Sequence, residues 1–130
     1  MTGTLQDYIA YRINKANETL IDARVLANNN RWNASMSRLY YSCYYIVSAL
    51  LSANKIQAKT HNGVKTKFFH EFVKAQRVDK KYGKLYSHLF DWRQESDYAD
   101  FIDFDKNRVT PLLDEVEEFI NVINGLIYIK

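Results

Sequence analysis

The sequence predicts an all-α protein, an up-and-down bundle of four main helices plus one additional helix. Two observations lead there. Apolar residues recur at helical spacing along most of the chain, and only four Gly and one Pro interrupt its 130 residues. So few breakers suit a handful of long helices better than many short strands. The length fits a single domain over residues 1–130.

The first helix is marked by Leu5, Ile9, Ala16, Leu20, Ala23 and Ala27, which form one stripe. Asn28, Asn29 and Asn30 end it, because Asn competes for backbone hydrogen bonds and tolerates left-handed geometry. The second runs from about Trp32 to Ser52, and its apolar and aromatic residues cover most of the circumference. It should therefore be central, with neighbours on several sides. A polar link, Asn54 to Thr60, leads to a third helix from about His61 to Gln76, with Thr60 as its N-cap. Val64, Phe68, Phe72 and Ala75 are its stripe.

The fourth runs from about Lys80 to Tyr98, with Tyr82, Leu85, Leu89 and Trp92 on one face. Gly83 lies inside it at ~1 kcal/mol relative to Ala, so an irregular first turn is expected. An acidic linker, Asp100 to Asp105, follows. The last helix has two readings: Asp105 caps a helix from Lys106 kinked at Pro111, or Thr110 caps one starting at Pro111. Asn124-Gly125 is its stop signal, and Leu126 to Ile129 form an apolar tail. Short links between long helices make neighbours antiparallel.

Cys43 is the single cysteine, so an intramolecular disulfide and a cysteine-rich zinc site are excluded. Its apolar surroundings predict burial. The first eleven residues lack the unbroken apolar stretch of a signal peptide, and no run is long enough to span a membrane. A cytoplasmic protein is the expectation. The net charge of +3 hides a basic stretch from Lys55 to Lys84, an acidic one from Asp91 to Asp105 and a second acidic cluster at Asp114, Glu115, Glu117 and Glu118. A basic stretch attracts phosphates or acidic proteins, or is a solvated helix face.

There is no Gly-rich phosphate loop, paired-His zinc helix or nucleophile elbow. His61, His70 and His88 lack the spacing of a metal pair and read as capping or surface histidines. No metal site and no cofactor are expected.

Three segments carry a resemblance. Arg38-Leu39-Tyr40-Tyr41-Ser42-Cys43-Tyr44-Tyr45 with Ala49-Leu50-Leu51 resembles the second-helix signature of HEPN domains. Thr60-His61-Asn62-Gly63-Val64 resembles that family's entry into its third helix, and Trp92-Arg93-Gln94-Glu95-Ser96-Asp97-Tyr98 its Arg…Asp-Tyr pattern. The resemblance implies a five-helix HEPN-like domain, commonly a homodimer, encoded beside a small nucleotidyltransferase as toxin and antitoxin. In the family's ribonuclease branches an Arg followed after four to six residues by a His cleaves RNA without metal; other branches bind nucleotide or RNA without cleaving it. Here Tyr98 stands where the His would fall, and no His follows His88. A free phenol, with a pKa near ~10, is a poor base at neutral pH.

Two candidate sets follow. Arg38, Tyr41, His61 and Arg93 would bind a phosphate group, forked guanidinium donors matching its oxygens. Arg93, Asp97 and Tyr98 would be catalytic in a variant ribonuclease. Structural alternatives stand beside both: Arg93 and Asp97, four apart, can form an ordinary helix ion pair, and Arg38 can pair with Asp97 or Asp100. Tyr40, Tyr41, Tyr44 and Tyr45 cannot all face one core, so some should border a dimer interface or a base-stacking platform. The expected function is a nucleotide- or RNA-binding module, the toxin-like partner of a nucleotidyltransferase antitoxin. The alternatives are the variant ribonuclease and a structural helical adaptor.

Overall fold

Thr4 opens the first helix by accepting the Asp7 amide at 3.0 Å, while the Asp7 carboxylate accepts the Thr4 amide at 3.1 Å, a reciprocal capping box. The computed structural model describes residues 3–98 and 103–128, the side chains of Ser96 and Tyr98 excepted. The described residues form five α-helices: α1 (Leu5–Asn28), α2 (Trp32–Ala53), α3 (His61–Phe68), α4 (Lys80–Tyr98) and α5 (Lys106–Ile127). There is no strand among the described residues. The expected all-α bundle is what the chain forms.

α2 is the central element and touches each of the other four helices. Met36, Leu39, Tyr40, Cys43, Ile46 and Leu50 on it have no exposed surface. Burial also pushes the Cys43 thiol well above its ordinary pKa, so it remains a neutral core group. The α1–α2 hairpin is close because small residues meet: Ala16 and Ala23 are fully buried, and the buried Ser35 hydroxyl donates to the Ala23 carbonyl at 2.8 Å.

Three segments end in the same way with a non-glycine residue in left-handed geometry: Asn30 (φ 60), Lys55 (φ 58) and Gln76 (φ 61). Behind them the Arg31, Ile56 and Arg77 amides reach back to the Leu26, Leu51 and Phe72 carbonyls at 2.9, 2.9 and 2.8 Å, closing Schellman motifs. The Asn stop expected after α1 is one of the three.

α3 begins at His61, with Thr60 accepting the Gly63 amide at 2.8 Å as expected for the cap. It passes into a turn of π-helix, Phe69–Val73, which the helical period alone did not indicate. Gly83 is regular helix, and its role is spatial. A Cβ there would meet the Val73 methyls at 3.1 Å and the Phe69 ring at 3.2 Å, so α4 crosses the π turn closely enough that a larger residue would push those side chains aside by a few tenths of an ångström.

α5 resolves its two readings. Asp105 is the cap, accepting the Arg108 amide at 3.0 Å, and Pro111 lies inside the helix. The lost backbone bond is offset by burial of Val109, Leu112, Leu113 and Val116 around it. The stop expected at Asn124-Gly125 is overridden: the helix continues to Ile127 because Ile123 and Ile127, one turn apart, are both buried. No helix among the described residues is long and apolar enough to cross a membrane.

Candidate functional site

Arg93 is the single charged residue among the buried residues described, its side chain 10% exposed. It points from α4 across α2, with its guanidinium carbon 5.1 Å from the Tyr40 ring centroid and 5.7 Å from that of Tyr41. Cation–π contact of this kind stabilises a desolvated cation only in part. Its one carboxylate partner among the described residues, Asp97, stands one helical turn on with a long Nη1···Oδ2 separation of 3.4 Å. The buried Arg93 Nε has no hydrogen-bond partner among the described residues. A buried cation so thinly satisfied is costly to the fold, and such a group calls for a reason.

The sequence spacing builds the rest of the cluster. Arg38 lies one turn before Tyr41, so its guanidinium carbon reaches 4.9 Å from that ring. Tyr41 is thus within reach of both arginines. It also meets the His61 ring edge-on at 5.7 Å. His61, the first residue of α3, stacks on Tyr44 at 4.3 Å and 14°. All four residues of the predicted phosphate-binding set, Arg38, Tyr41, His61 and Arg93, are therefore neighbours although they come from three helices. His61 is half-buried in the tyrosine cluster rather than a plain surface histidine.

The His61 Nδ1 is 2.7 Å from the Tyr40 hydroxyl. Burial and the Arg93 charge hold this imidazole below its ordinary pKa of 6.5, so it is neutral at pH 7. Burial raises the Tyr40 phenol, which stays protonated. Two neutral tautomers fit. In one, Tyr40 O–H donates to Nδ1; in the other, Nδ1–H donates to the Tyr40 oxygen and Nε2 is left an open acceptor.

Lys65 is the residue that sequence reasoning missed. Its ammonium lies 4.5 Å from the Phe90 ring, itself edge-on to Tyr40 at 5.9 Å, which adds a third cation at the margin. Its position four residues after His61, hence on the same face of α3, was the available signal.

Other expectations fall apart from the cluster. Asp97 pairs with Arg93 and lines a shallow concavity beside Arg38, but Arg38 makes no ion pair among the described residues. The Tyr98 side chain and Asp100 lie outside the described residues. His70 is exposed beside Glu71, and His88 stacks on Trp92 at 5.1 Å. The acidic cluster on α5 is structural: Asp114 and Glu117 bind Arg24 of α1, and Glu118 accepts from Tyr82 of α4 at 2.6 Å. Of the four adjacent tyrosines Tyr40 is core, while Tyr41, Tyr44 and Tyr45 are half-buried against it. No group of three or more metal-ligating side chains comes together among the described residues.

The fold and the cluster define a small helical domain with a cationic, tyrosine-lined site where α2, α3 and α4 meet. The HEPN domain family profile matches residues 9–126, and the chain belongs to that family. Its relatives include a Thermotoga maritima "UPF0332 protein", 37% identical over 92% of this chain and 90% of its own. Two Methanocaldococcus jannaschii proteins, each named "Putative toxin", are also similar. One is 33% identical over 84% of this chain and 74% of its own. The other is 28% identical over 73% of this chain and 71% of its own.

Proposed function

We propose that the protein is a HEPN-type module that binds the phosphates of RNA or a nucleotide at Arg38 and Arg93. The observation that carries this reading is Arg93: buried and, among the described residues, with no acceptor at Nε and a single long carboxylate contact. A phosphate oxygen would supply the missing acceptor, and Tyr41 would offer a ring for a base to stack on. Among the described residues only Asp97 forms an ion pair with this cluster of Arg38, Arg93 and Lys65. The toxin names of two relatives support a toxin-like role. The resemblance to the family adds the rest of the reading: a homodimer that works in the cytoplasm beside a nucleotidyltransferase antitoxin.

Two measurements test this reading. Titration of a fluorescent single-stranded RNA at physiological salt should show saturable binding that weakens roughly tenfold or more in Arg38→Ala. Unchanged affinity in that variant removes the binding assignment. Co-expression with a nucleotidyltransferase encoded next to it should yield a stable complex; two proteins that elute apart would end the partnership.

One observation favours the ribonuclease as a second reading. His61 brings a neutral imidazole to Arg93 from another helix, although Tyr98 occupies the usual position of the family's His. In the tautomer with Nε2 unprotonated, His61 would accept the 2′-hydroxyl proton as that oxygen bonds to the phosphorus held by Arg93; the P–O5′ bond breaks, the 5′-oxygen takes a proton from water, and a 2′,3′-cyclic phosphate is left. Asp97 would orient Arg93, with Tyr98 nearby in sequence. Cleavage of RNA in EDTA, lost in His61→Asn and in Tyr98→Phe, is the expected result; an intact substrate beside an active control enzyme rules the reading out.

A further inference from the structure

A separate concavity of about 600 Å³ lies between the first two turns of α1, the end of α2 and the link at residues 55–59. Arg12, Lys55 and Lys59 line it, and none of its lining residues is acidic. Arg12 resembles Arg93 in its state: its Nε is buried without a hydrogen-bond partner among the described residues. Its guanidinium carbon instead lies 5.2 Å from the Tyr8 ring and 5.4 Å from that of Tyr45. No ion pair of Arg12, Lys55 or Lys59 occurs among the described residues. The link adds donors, since the Gln57, Ala58 and Lys59 amides give no backbone hydrogen bond among the described residues. The Lys55 backbone is fixed in left-handed geometry by the Schellman closure, so the turn that carries these groups is set before any ligand arrives.

The opposite wall is apolar: Leu51 and Val64 are buried, and Tyr8 and Tyr44 present ring surface. We propose that this cleft binds a small phosphate monoester with a planar body, the phosphate meeting Arg12, Lys59 and the link amides and the body lying between Tyr8 and Tyr44. A phosphate satisfies an unpaired arginine and free amides together, and a cavity of this size holds a drug-sized molecule. Tyr44 is a shared wall: it lines the cleft and also stacks on His61. The proposal therefore goes beyond the RNA site without depending on it.

The test is calorimetric titration of the full chain with AMP, phenyl phosphate, adenosine and inorganic phosphate. AMP and phenyl phosphate should saturate, with adenosine and inorganic phosphate each roughly tenfold weaker or more. Arg12→Gln and, on the exposed link, Lys59→Gln should each weaken AMP roughly tenfold while melting as the parent does. Arg24→Ala, which removes a cation outside both sites, should leave AMP affinity unchanged, so the losses above read position and not total charge. A 5′-phosphorylated dinucleotide that binds more tightly than AMP assigns the phosphate to a strand end, and one that binds more weakly assigns it to a free small molecule. The proposal is overturned if neither monoester saturates by about 10 mM, well below ordinary ligand affinities. It is also overturned if adenosine binds as well as AMP, or if Arg12→Gln with Lys59→Gln keeps the parent affinity.

Discussion

Arg24 and Arg93 are the same side chain under opposite conditions. Arg24 is 36% exposed, donates to Asp114 at 3.2 Å and Glu117 at 2.8 Å, and joins α1 to α5. Despite partial desolvation, those hydrogen bonds raise its pKa further. Arg93 is buried over two tyrosine rings and, among the described residues, has one ion pair of 3.4 Å and no acceptor at Nε. A fold that needed a cation only for cohesion would place it as Arg24 is placed, in water with its partners around it. Desolvating a guanidinium and then withholding acceptors costs stability, so the arrangement at Arg93 makes sense where a ligand completes it.

Replacing the buried charge with an apolar chain of similar length gives the largest expected effect. Arg93→Met should weaken RNA binding by about 10- to 100-fold, the equivalent of one or two charged hydrogen bonds. The same variant should be as stable as the parent or more so, since buried ions are often replaced by hydrophobes without loss. A fluorescence titration beside a urea melt reads both. A structural role for Arg93 predicts the reverse, with stability lost and affinity kept.

The helices were legible because their period is a local property. α2 could be placed at the centre from its apolar circumference alone, and the Thr60 cap from one residue type at one position. The end of α5 was not legible, since Gly125 is a local signal overruled by the burial of Ile127, a tertiary fact. The π turn was hidden for a related reason: what marks it is the close passage of α4 at Gly83. That Arg38, Tyr41, His61 and Arg93 form one cluster was legible through the resemblance of three segments. That His61 lies among the tyrosines near Arg93 depends on how α3 enters beside α2, and no spacing within one helix encodes it.

The Arg93 charge should also be readable through its neighbour. The folded-state pKa of His61 is lowered, by burial first and by Arg93 second. Below the ordinary value of 6.5 the unfolded chain therefore binds protons that the folded one resists, so stability contributed at neutral pH is lost as pH falls from about 6.5 through the folded pKa. Urea melts at pH 7.5 and 5.5 should show this loss in the parent, and less of it in His61→Asn. In Arg93→Met the His61 titration, followed by its ring proton resonances, should move up towards 6.5. A titration that ignores the substitution would mean that the two groups do not share a field.

The smallest effect belongs to the other arginine, and it completes the contrast. Arg24 bridges two carboxylates that are 90% and 55% exposed, so solvent screens the pairs and little is lost with them. Arg24→Ala should cost about 0.2–1 kcal/mol at low salt and less at 1 M, because exposed pairs fade as the Debye length shrinks. RNA affinity should not change, since Arg24 faces α5 and not the tyrosine cluster. Thermal melts at the two salt concentrations measure the first part, and the titration used for Arg93 the second. If Arg24→Ala weakened RNA binding as much as Arg93→Met, affinity would follow total positive charge rather than position. The cluster at Arg93 would then be one basic patch among several.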